Sequence, residues 1–118
     1  MVMIVDDEML VRDAVADILE LYGVDVICAS SGPESIEIYR KRQQEIKAIV
    51  LDMQMPGMDG RDTYYALKKL DPNVTVLMSS GYSSNDISAH FQPGEIAGVL
   101  QKPYNIETLT TTIQSLID

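Results

Sequence analysis

The sequence AIVLDMQMPGMDG, residues 48–60, begins with a short apolar run that stops at an acidic residue. The run Ala48–Leu51 is continuously apolar and contains two β-branched residues, which predicts a strand that is covered on both faces. Four more short, mostly apolar runs resemble it, and they cover Val2–Val5, Val24–Cys28, Val74–Met78 and Ala97–Leu100. The chain therefore predicts five buried strands.

The segments between these runs have the spacing of amphipathic helices. Three apolar stripes recur every three to four residues, and they consist of Val11, Ala14, Val15, Ile18, Leu21 and Tyr22, then Tyr64, Leu67 and Leu70, then Ile106, Leu109, Ile113 and Leu116. Gly23 favours a helix end, and Ser31-Gly32-Pro33-Glu34 favours a helix start. The weakest helix is expected at about residues 83–91. Strands that alternate with helices predict an α/β fold with a parallel sheet and helices on both faces.

Length and composition predict one globular domain over residues 1–118, with no output domain in this chain. The 118 residues are 46% apolar and 23% charged, as in ordinary globular proteins. Acidic residues outnumber basic ones 18 to 9, and the resulting net charge of −9 argues against direct nucleic-acid contact. The single cysteine, Cys28, excludes an internal disulfide. Because we find neither a signal peptide nor a membrane-length apolar run, we expect a cytoplasmic domain without membrane contact.

Polar residues follow four of the five predicted strands, where an open parallel sheet binds its ligands. These residues are Asp6, Asp7 and Glu8 after the first strand, Asp52 after the third, Ser79 and Ser80 at the fourth, and Lys102 after the fifth. Each also has a purely structural interpretation, as a helix cap, a turn residue, a backbone-bonded hydroxyl or a surface lysine. Lys102 is the only basic residue after Lys69, against five acids, so we expect it to be paired.

Three carboxylates at one sheet edge repel one another and raise at least one pKa unless a cation lies among them. Mg²⁺ suits a site of a few carboxylates and waters. A carboxylate can also attack phosphorus to give an acyl phosphate. An amine and a hydroxyl would then stabilise the developing charge. The residue types therefore predict phosphoryl chemistry.

These residues and their setting resemble the receiver domain of two-component response regulators, the CheY-like family. The resemblance rests on VDDE (5–8), LDMQMPGMDG (51–60), VLMSSGY (76–82) and LQKPY (100–104), and it extends over essentially the whole chain. It implies a flavodoxin-like, doubly wound (βα)5 fold with a five-stranded parallel sheet in the order 2-1-3-4-5.

The resemblance also implies the roles of the acidic residues. Asp52 would accept a phosphoryl group from a histidine kinase or a histidine phosphotransfer domain. Asp6 and Asp7 would hold Mg²⁺, together with Asp52 and the backbone carbonyl of Gln54. The domain would promote its own phosphorylation and dephosphorylation without being an enzyme by itself.

The same resemblance implies a conformational switch. Lys102 would pair with a phosphoryl oxygen, and its peptide bond to Pro103 is commonly cis in this family. Ser80, which precedes the small residue Gly81, would be the switch hydroxyl. The face around the fourth helix, the fifth strand and the fifth helix would then bind a partner or a second copy of the domain.

Two positions depart from the family pattern or modify it. Val99 stands where the family often has an aromatic switch residue, so this position lacks the ring on which the usual coupling depends; Tyr82 and Tyr104 are candidates to replace part of it. Tyr82 lies two residues after Ser80, where the family tunes the access of hydrolytic water. We expect its bulk to lengthen the lifetime of the phosphoryl group.

Three other functions remain as alternatives. A haloacid-dehalogenase-like phosphatase also uses an aspartate nucleophile, but it needs an acid where this chain has Gln54, which cannot transfer a proton. A flavodoxin-like cofactor binder needs a phosphate loop after the first strand, where Asp6 and Asp7 would repel phosphate. A receiver-like domain that has lost phosphorylation is the third. The domain fits a stand-alone receiver, a transcription factor or a hybrid histidine kinase, and we favour the last two together.

Overall fold

The computed structural model describes residues 1–81 and 84–117, in which five strands and five helices alternate along the chain. The elements are β1 (Val2–Val5), α1 (Met9–Leu21), β2 (Val26–Ala29), α2 (Gly32–Arg42), β3 (Ala48–Asp52), α3 (Gly60–Leu70), β4 (Val76–Ser80), α4 (Ser84–Ser88), β5 (Gly98–Gln101) and α5 (Ile106–Ile117). The predicted order of elements is confirmed. Among the described helices, none has the length and apolar character needed to cross a membrane.

The five strands form one parallel sheet in the order β2-β1-β3-β4-β5, as the family resemblance implied. Its register aligns Val5 with Leu51, and Asp52 with Ser79. Ser80 in turn lies beside Gln101. The carboxyl ends of β1, β3, β4 and β5 therefore meet along one edge of the sheet.

Alternate residues of each strand enter two separate cores, because successive side chains point to opposite faces of a sheet. Met3, Ile49 and Met78 are buried with Tyr64 of α3 on the face covered by α2, α3 and α4. The other face is covered by α1 and α5, and there the alternate strand residues pack with the buried side chains of these helices: Val2, Ile4, Val50, Leu77, Val15, Leu19, Leu109 and Ile113. Burial on both faces explains why the strands read as nearly continuous apolar runs.

Two strands begin two residues later than their apolar patterns suggest, and β5 begins one residue later, at Gly98. The amide of Val24 donates to the Leu19 carbonyl at 3.0 Å, and that of Val74 donates to the Asp71 carbonyl at 3.0 Å. Both valines are buried, but their amides close the turns that end the preceding helices. The strands therefore start at Val26 and Val76.

The helix signals are accurate except at α4. Ser31 caps α2, its hydroxyl accepting from the Glu34 amide at 3.2 Å, and Gly23 has a φ of +80° just after α1. The fourth helix, expected over residues 83–91, is only Ser84–Ser88. The chain then continues as turns, in which the Phe91 amide donates to the Ser88 carbonyl at 3.1 Å.

Candidate functional site

The predicted polar residues converge at the carboxyl edge of the sheet. Asp6 follows β1, Asp52 is the last residue of β3, and Lys102 follows β5. Asp6 and Asp52 are 2% and 4% exposed, whereas Asp7 is exposed. One oxygen from each of Asp6, Asp7 and Asp52 lies within 4.8 Å of the others. Two buried carboxylates and one exposed carboxylate therefore share a small volume.

Lys102 is the cation that faces these carboxylates. Its ammonium nitrogen lies 2.9 Å from Asp6 Oδ2 and 3.5 Å from Asp52 Oδ1. Burial alone would lower the pKa of Lys102, but its hydrogen bond to Asp6 and the charge of Asp52 outweigh that effect and raise it. Lys102 is therefore firmly charged and is not a solvated surface lysine.

One lysine does not neutralise the negative charge of the three carboxylates. Burial, followed by the negative charge of Asp6, raises the pKa of Asp52 from 3.8 to about 6, although Lys102 and the Gln54 amide act in the opposite direction. Strongly perturbed carboxyl groups of this kind are common where chemistry or ion binding takes place. Asp52 therefore carries a negative charge that its surroundings do not fully compensate.

Backbone hydrogen bonds fix the orientation of both buried carboxylates. Asp6 Oδ1 accepts from the Glu8 amide at 2.9 Å, and Asp52 Oδ1 accepts from the Gln54 amide at 3.2 Å. The Arg12 guanidinium donates to the backbone carbonyl of Asp6 at 2.6 Å. Sequence reasoning missed Arg12, because it lies six residues from Asp6, inside α1, without a recognisable spacing signal.

Two glycines shape the loop after Asp52. Gly57 has a φ of +76°, which side-chain-bearing residues rarely adopt. A Cβ at Gly60 would lie 2.5 Å from the Asp52 carbonyl oxygen. The Gly60 amide also donates to the Met53 carbonyl at 2.9 Å, so the loop closes tightly against the end of β3.

The two serines of β4 lie on opposite faces of the sheet. Ser80 is buried, and its carbonyl accepts from the Lys102 amide at 2.6 Å, which links the predicted switch residue to the lysine. Ser79 lies beside Asp52, and within the described part of the chain its buried hydroxyl has no partner in hydrogen-bond geometry. Tyr104 is the polar group nearby: burial raises the pKa of its phenol, and Ser79 acts to lower it.

The remaining predicted residues lie around this cluster or outside the described part of the chain. Gln54 is exposed, and its amide contacts Asp52. Val99 is half-buried and packs against the core under α2, α3 and α4. The Lys102–Pro103 bond is cis, as the resemblance implied. Tyr82, the expected modulator of water access, lies outside the described residues.

The donor set suits a hard divalent cation. Carboxylate oxygens are the ligands that Mg²⁺ prefers, and it is usually held by one or two carboxylates with waters. Asp7 is exposed and close to two buried carboxylates, so the cluster is open to water on one side. The acidic cluster Asp6, Asp7 and Asp52 could therefore hold Mg²⁺.

Comparison with known proteins agrees with the fold. Over 99% of its length, the chain is 31% identical to Sensor kinase CckA of Brucella abortus, of which it spans only 12%. It is 25% identical to Sporulation initiation phosphotransferase F of Bacillus subtilis, with 98% of this chain and 92% of that protein covered. The structure of the chemotaxis protein CheY4 of Vibrio cholerae is 29% identical and superimposes with a TM-score of 0.85, covering 98% and 96% of the two chains. The family model described as the response regulator receiver domain matches residues 2–114, and the chain therefore belongs to that family.

Proposed function

We propose that this domain accepts a phosphoryl group from a phosphohistidine donor onto Asp52 and, in the cytoplasm, passes the signal to a partner by a change of shape. The observation that carries the proposal is the unbalanced charge at Asp52. This carboxylate is 4% exposed, has a pKa raised to about 6, and lies 3.5 Å from the Lys102 ammonium. Membership of the receiver family supports the same assignment.

The proposed reaction uses the chain's own groups at the sheet edge. A carboxylate oxygen of Asp52 forms the new bond to phosphorus, while the bond from phosphorus to the donor's imidazole nitrogen breaks. The electron pair of the broken bond goes to that nitrogen, which is then protonated. Lys102 stabilises the charge on the transferred phosphoryl oxygens, and the Gln54 amide holds Asp52 in place.

Mg²⁺ fits this proposal as the cofactor, held by Asp6, Asp7, Asp52 and the backbone carbonyl of Gln54. When bound, it would neutralise charge on the phosphoryl oxygens. Asp6 is already oriented by the Glu8 amide, and its other oxygen is paired with Lys102. The protein therefore supplies a preformed acidic cluster whose repulsion a cation relieves.

The phosphodonor must dock where its histidine reaches Asp52. An apolar groove of about 510 Å³ runs between α1 and the segment after β5, and it is lined by Leu10, Val11, Ala14, Val15, Ile18, Lys102, Pro103 and Tyr104. Leu10 is 79% exposed at one side of this groove. Because Lys102 belongs both to the groove and to the site, we propose that the histidine-bearing kinase or phosphotransfer domain binds along α1.

Signal output is proposed to follow movement of Lys102 and Ser80 toward the phosphoryl group. These residues are already joined by the 2.6 Å bond between the Lys102 amide and the Ser80 carbonyl. Their movement would shift α4, β5 and α5, which then bind a partner or a second copy. Val99 has no ring that could turn inward, so Tyr82 and Tyr104 are the proposed aromatic contributors.

Phosphorylation by a small-molecule donor tests the acceptor directly. Wild type incubated with labelled acetyl phosphate and Mg²⁺ should gain a label that is sensitive to hydroxylamine, as an acyl phosphate is. Asp52→Asn should gain none. Asp17→Asn, which changes an exposed carboxylate of α1, should behave like wild type. Labelling of Asp52→Asn at the wild-type level would refute the assignment, and an unlabelled wild type would support the alternative of a receiver that has lost phosphorylation.

A further inference from the structure

A second charged cluster, centred on Glu95, lies between α3 and the segment that joins α4 to β5. Glu95 Oε2 lies 3.1 Å from the Lys68 ammonium, and Oε1 accepts from the Tyr65 hydroxyl at 3.1 Å. The Glu95 backbone carbonyl accepts from the Tyr64 hydroxyl at 2.6 Å. We call Glu95 and its α3 partners Tyr64, Tyr65 and Lys68 the Glu95 clamp.

The chain before Glu95 forms a tight turn that presents this carboxylate to α3. The Glu95 amide donates to the Gln92 carbonyl at 3.0 Å, and the Gln92 amide donates back to Glu95 Oε1 at 2.7 Å. Pro93 and Gly94 occupy the two central positions, and the φ of +83° at Gly94 is what a type II turn requires there. The turn is therefore locked by its own backbone as well as by the side chain of Glu95.

Aromatic packing continues the clamp beneath this turn. The rings of Tyr64 and Phe91 meet edge to face with their centroids 5.4 Å apart, and Tyr65 lies 6.3 Å from Phe91. Phe91 is buried although it follows the short helix α4. The segment between α4 and β5 is thus attached to α3 by both polar and aromatic contacts.

The clamp holds the segment that leads directly into the switch strand. Glu95 lies three residues before β5, and Lys102 follows the end of that strand. Between them, the Ala97 amide donates to the Val76 carbonyl at 2.8 Å and begins the pairing of β5 with β4. A shift of the whole of β5 toward Asp52 would therefore also move the segment that contacts α3.

We propose that the Glu95 clamp is a brake, which holds β5 and its leading segment in the unphosphorylated arrangement and must loosen when Asp52 is phosphorylated. This inference rests on the proposed function of Asp52. A contact that is equally strong in both states shifts no equilibrium, so a brake must be stronger in the resting state. Removing it then raises the affinity of the acidic site for a phosphoryl group or its mimic.

Beryllofluoride affinity in the presence of Mg²⁺ measures this effect. Glu95→Ala removes the carboxylate that accepts hydrogen bonds from the Gln92 amide, Tyr65 and Lys68. Tyr65→Phe removes one of these bonds and keeps the ring. Since one hydrogen bond contributes about 0.5–1.5 kcal/mol, or about twofold to tenfold in affinity, we expect beryllofluoride to bind about twofold to tenfold more tightly to Tyr65→Phe and more tightly still to Glu95→Ala. Glu20→Ala and Tyr22→Phe change exposed residues of α1 and its end, and they serve as matched controls.

A second readout separates a brake from a merely structural contact. Without beryllofluoride, the amide chemical shifts of Gly98 and Lys102 in Glu95→Ala should move part of the way toward those of the beryllofluoride complex of wild type. Affinity that is unchanged or weaker in Glu95→Ala and Tyr65→Phe overturns the brake and leaves Asp52 as the acceptor. Wild type that binds no beryllofluoride overturns the proposed function and the brake with it.

Discussion

The cluster at Asp52 and the cluster at Glu95 both combine carboxylates with a lysine, but they differ in the number of hydrogen-bond donors for each carboxylate. At the sheet edge, three carboxylates share one lysine, and the pKa of Asp52 is raised to about 6, first by burial and then by Asp6. At the Glu95 clamp, one carboxylate receives a backbone amide, a lysine and a tyrosine hydroxyl. The pKa of Glu95 is lowered, first by the Gln92 amide and then by Lys68.

The difference distinguishes the proposed phosphoryl acceptor from the proposed brake. Glu95 has donors enough for its charge, so the ionised form is stable and holds two segments together. Asp52 is buried with fewer donors, so its ionised form is destabilised, and this is why we propose it as the carboxylate that binds a cation and reacts. Natural proteins keep an incompletely compensated buried charge of this kind mainly at functional sites. The burial of a carboxylate and the donors around it must therefore be considered together, since burial dominates at Asp52 and hydrogen bonds dominate at Glu95.

The largest expected effect is the loss of Lys102 from the reactive cluster. Lys102→Ala should phosphorylate with acetyl phosphate about 100-fold more slowly, the loss typical of removing one charge-stabilising donor. The variant also leaves Asp6 and Asp52 without a cation, so the Asp52 pKa should rise further above 6, as followed by carboxyl NMR. Lys69→Ala, on the exposed side of α3, should keep the wild-type rate. If Lys102→Ala is phosphorylated at a rate within threefold of wild type, the charge of Lys102 does not contribute to the reaction at Asp52.

Asp52→Asn should stabilise the fold in Mg²⁺-free buffer, by about 1–3 kcal/mol at pH 7. A carboxyl whose pKa is higher in the folded protein binds its proton more tightly there, so ionisation weakens the fold. The penalty appears as the pH rises from about 4 to about 6 and is complete above 6. Urea unfolding of wild type and Asp52→Asn across this range measures the difference. Equal stability of the two proteins at pH 7 would contradict the prediction that the ionised Asp52 carboxylate destabilises the fold.

Glu95→Gln should show the opposite pH dependence and a smaller effect. The lowered pKa of Glu95 means that its ionised form stabilises the fold, so the variant should be less stable than wild type at pH 7. The difference should shrink as the pH falls through the folded-state pKa, below 4.5. The same urea experiment, with Glu20→Gln as the control, tests this. A variant that is as stable as wild type at pH 7 would remove the contrast between the two clusters.

The smallest effect is expected for Tyr64→Phe, which removes the 2.6 Å bond to the Glu95 carbonyl. The ring stays in place against Phe91, so the loss should be about 1 kcal/mol, the usual contribution of one hydrogen bond. Thermal unfolding measures it against Tyr22→Phe. A loss no greater than that of the control would mean that the aromatic packing, rather than the hydrogen bond, holds the segment.

Local sequence signals predicted most of the fold. The four residues of β1 and the start of β3 are as expected, because both strands are apolar on both sides and end at acids. The starts of β2 and β4 were wrong by two residues, since Val24 and Val74 close helix-ending turns while remaining buried. The fourth helix was predicted too long. Phe91 packs in an aromatic cluster with α3, and no local signal in residues 83–91 indicates this contact.

The sequence by itself determined the alternation of strands and helices and placed Asp6, Asp7, Asp52, Ser80 and Lys102 at strand ends. It could do so because hydrophobic periodicity and turn residues act over a few neighbouring positions. Only the tertiary structure decided that Asp6 is buried while its neighbour Asp7 is exposed, and that Lys68 reaches Glu95 across 27 residues. Burial and charge pairing depend on which helices and strands pack together. That packing is determined by the order and register of the sheet, which involve residues far apart in the chain.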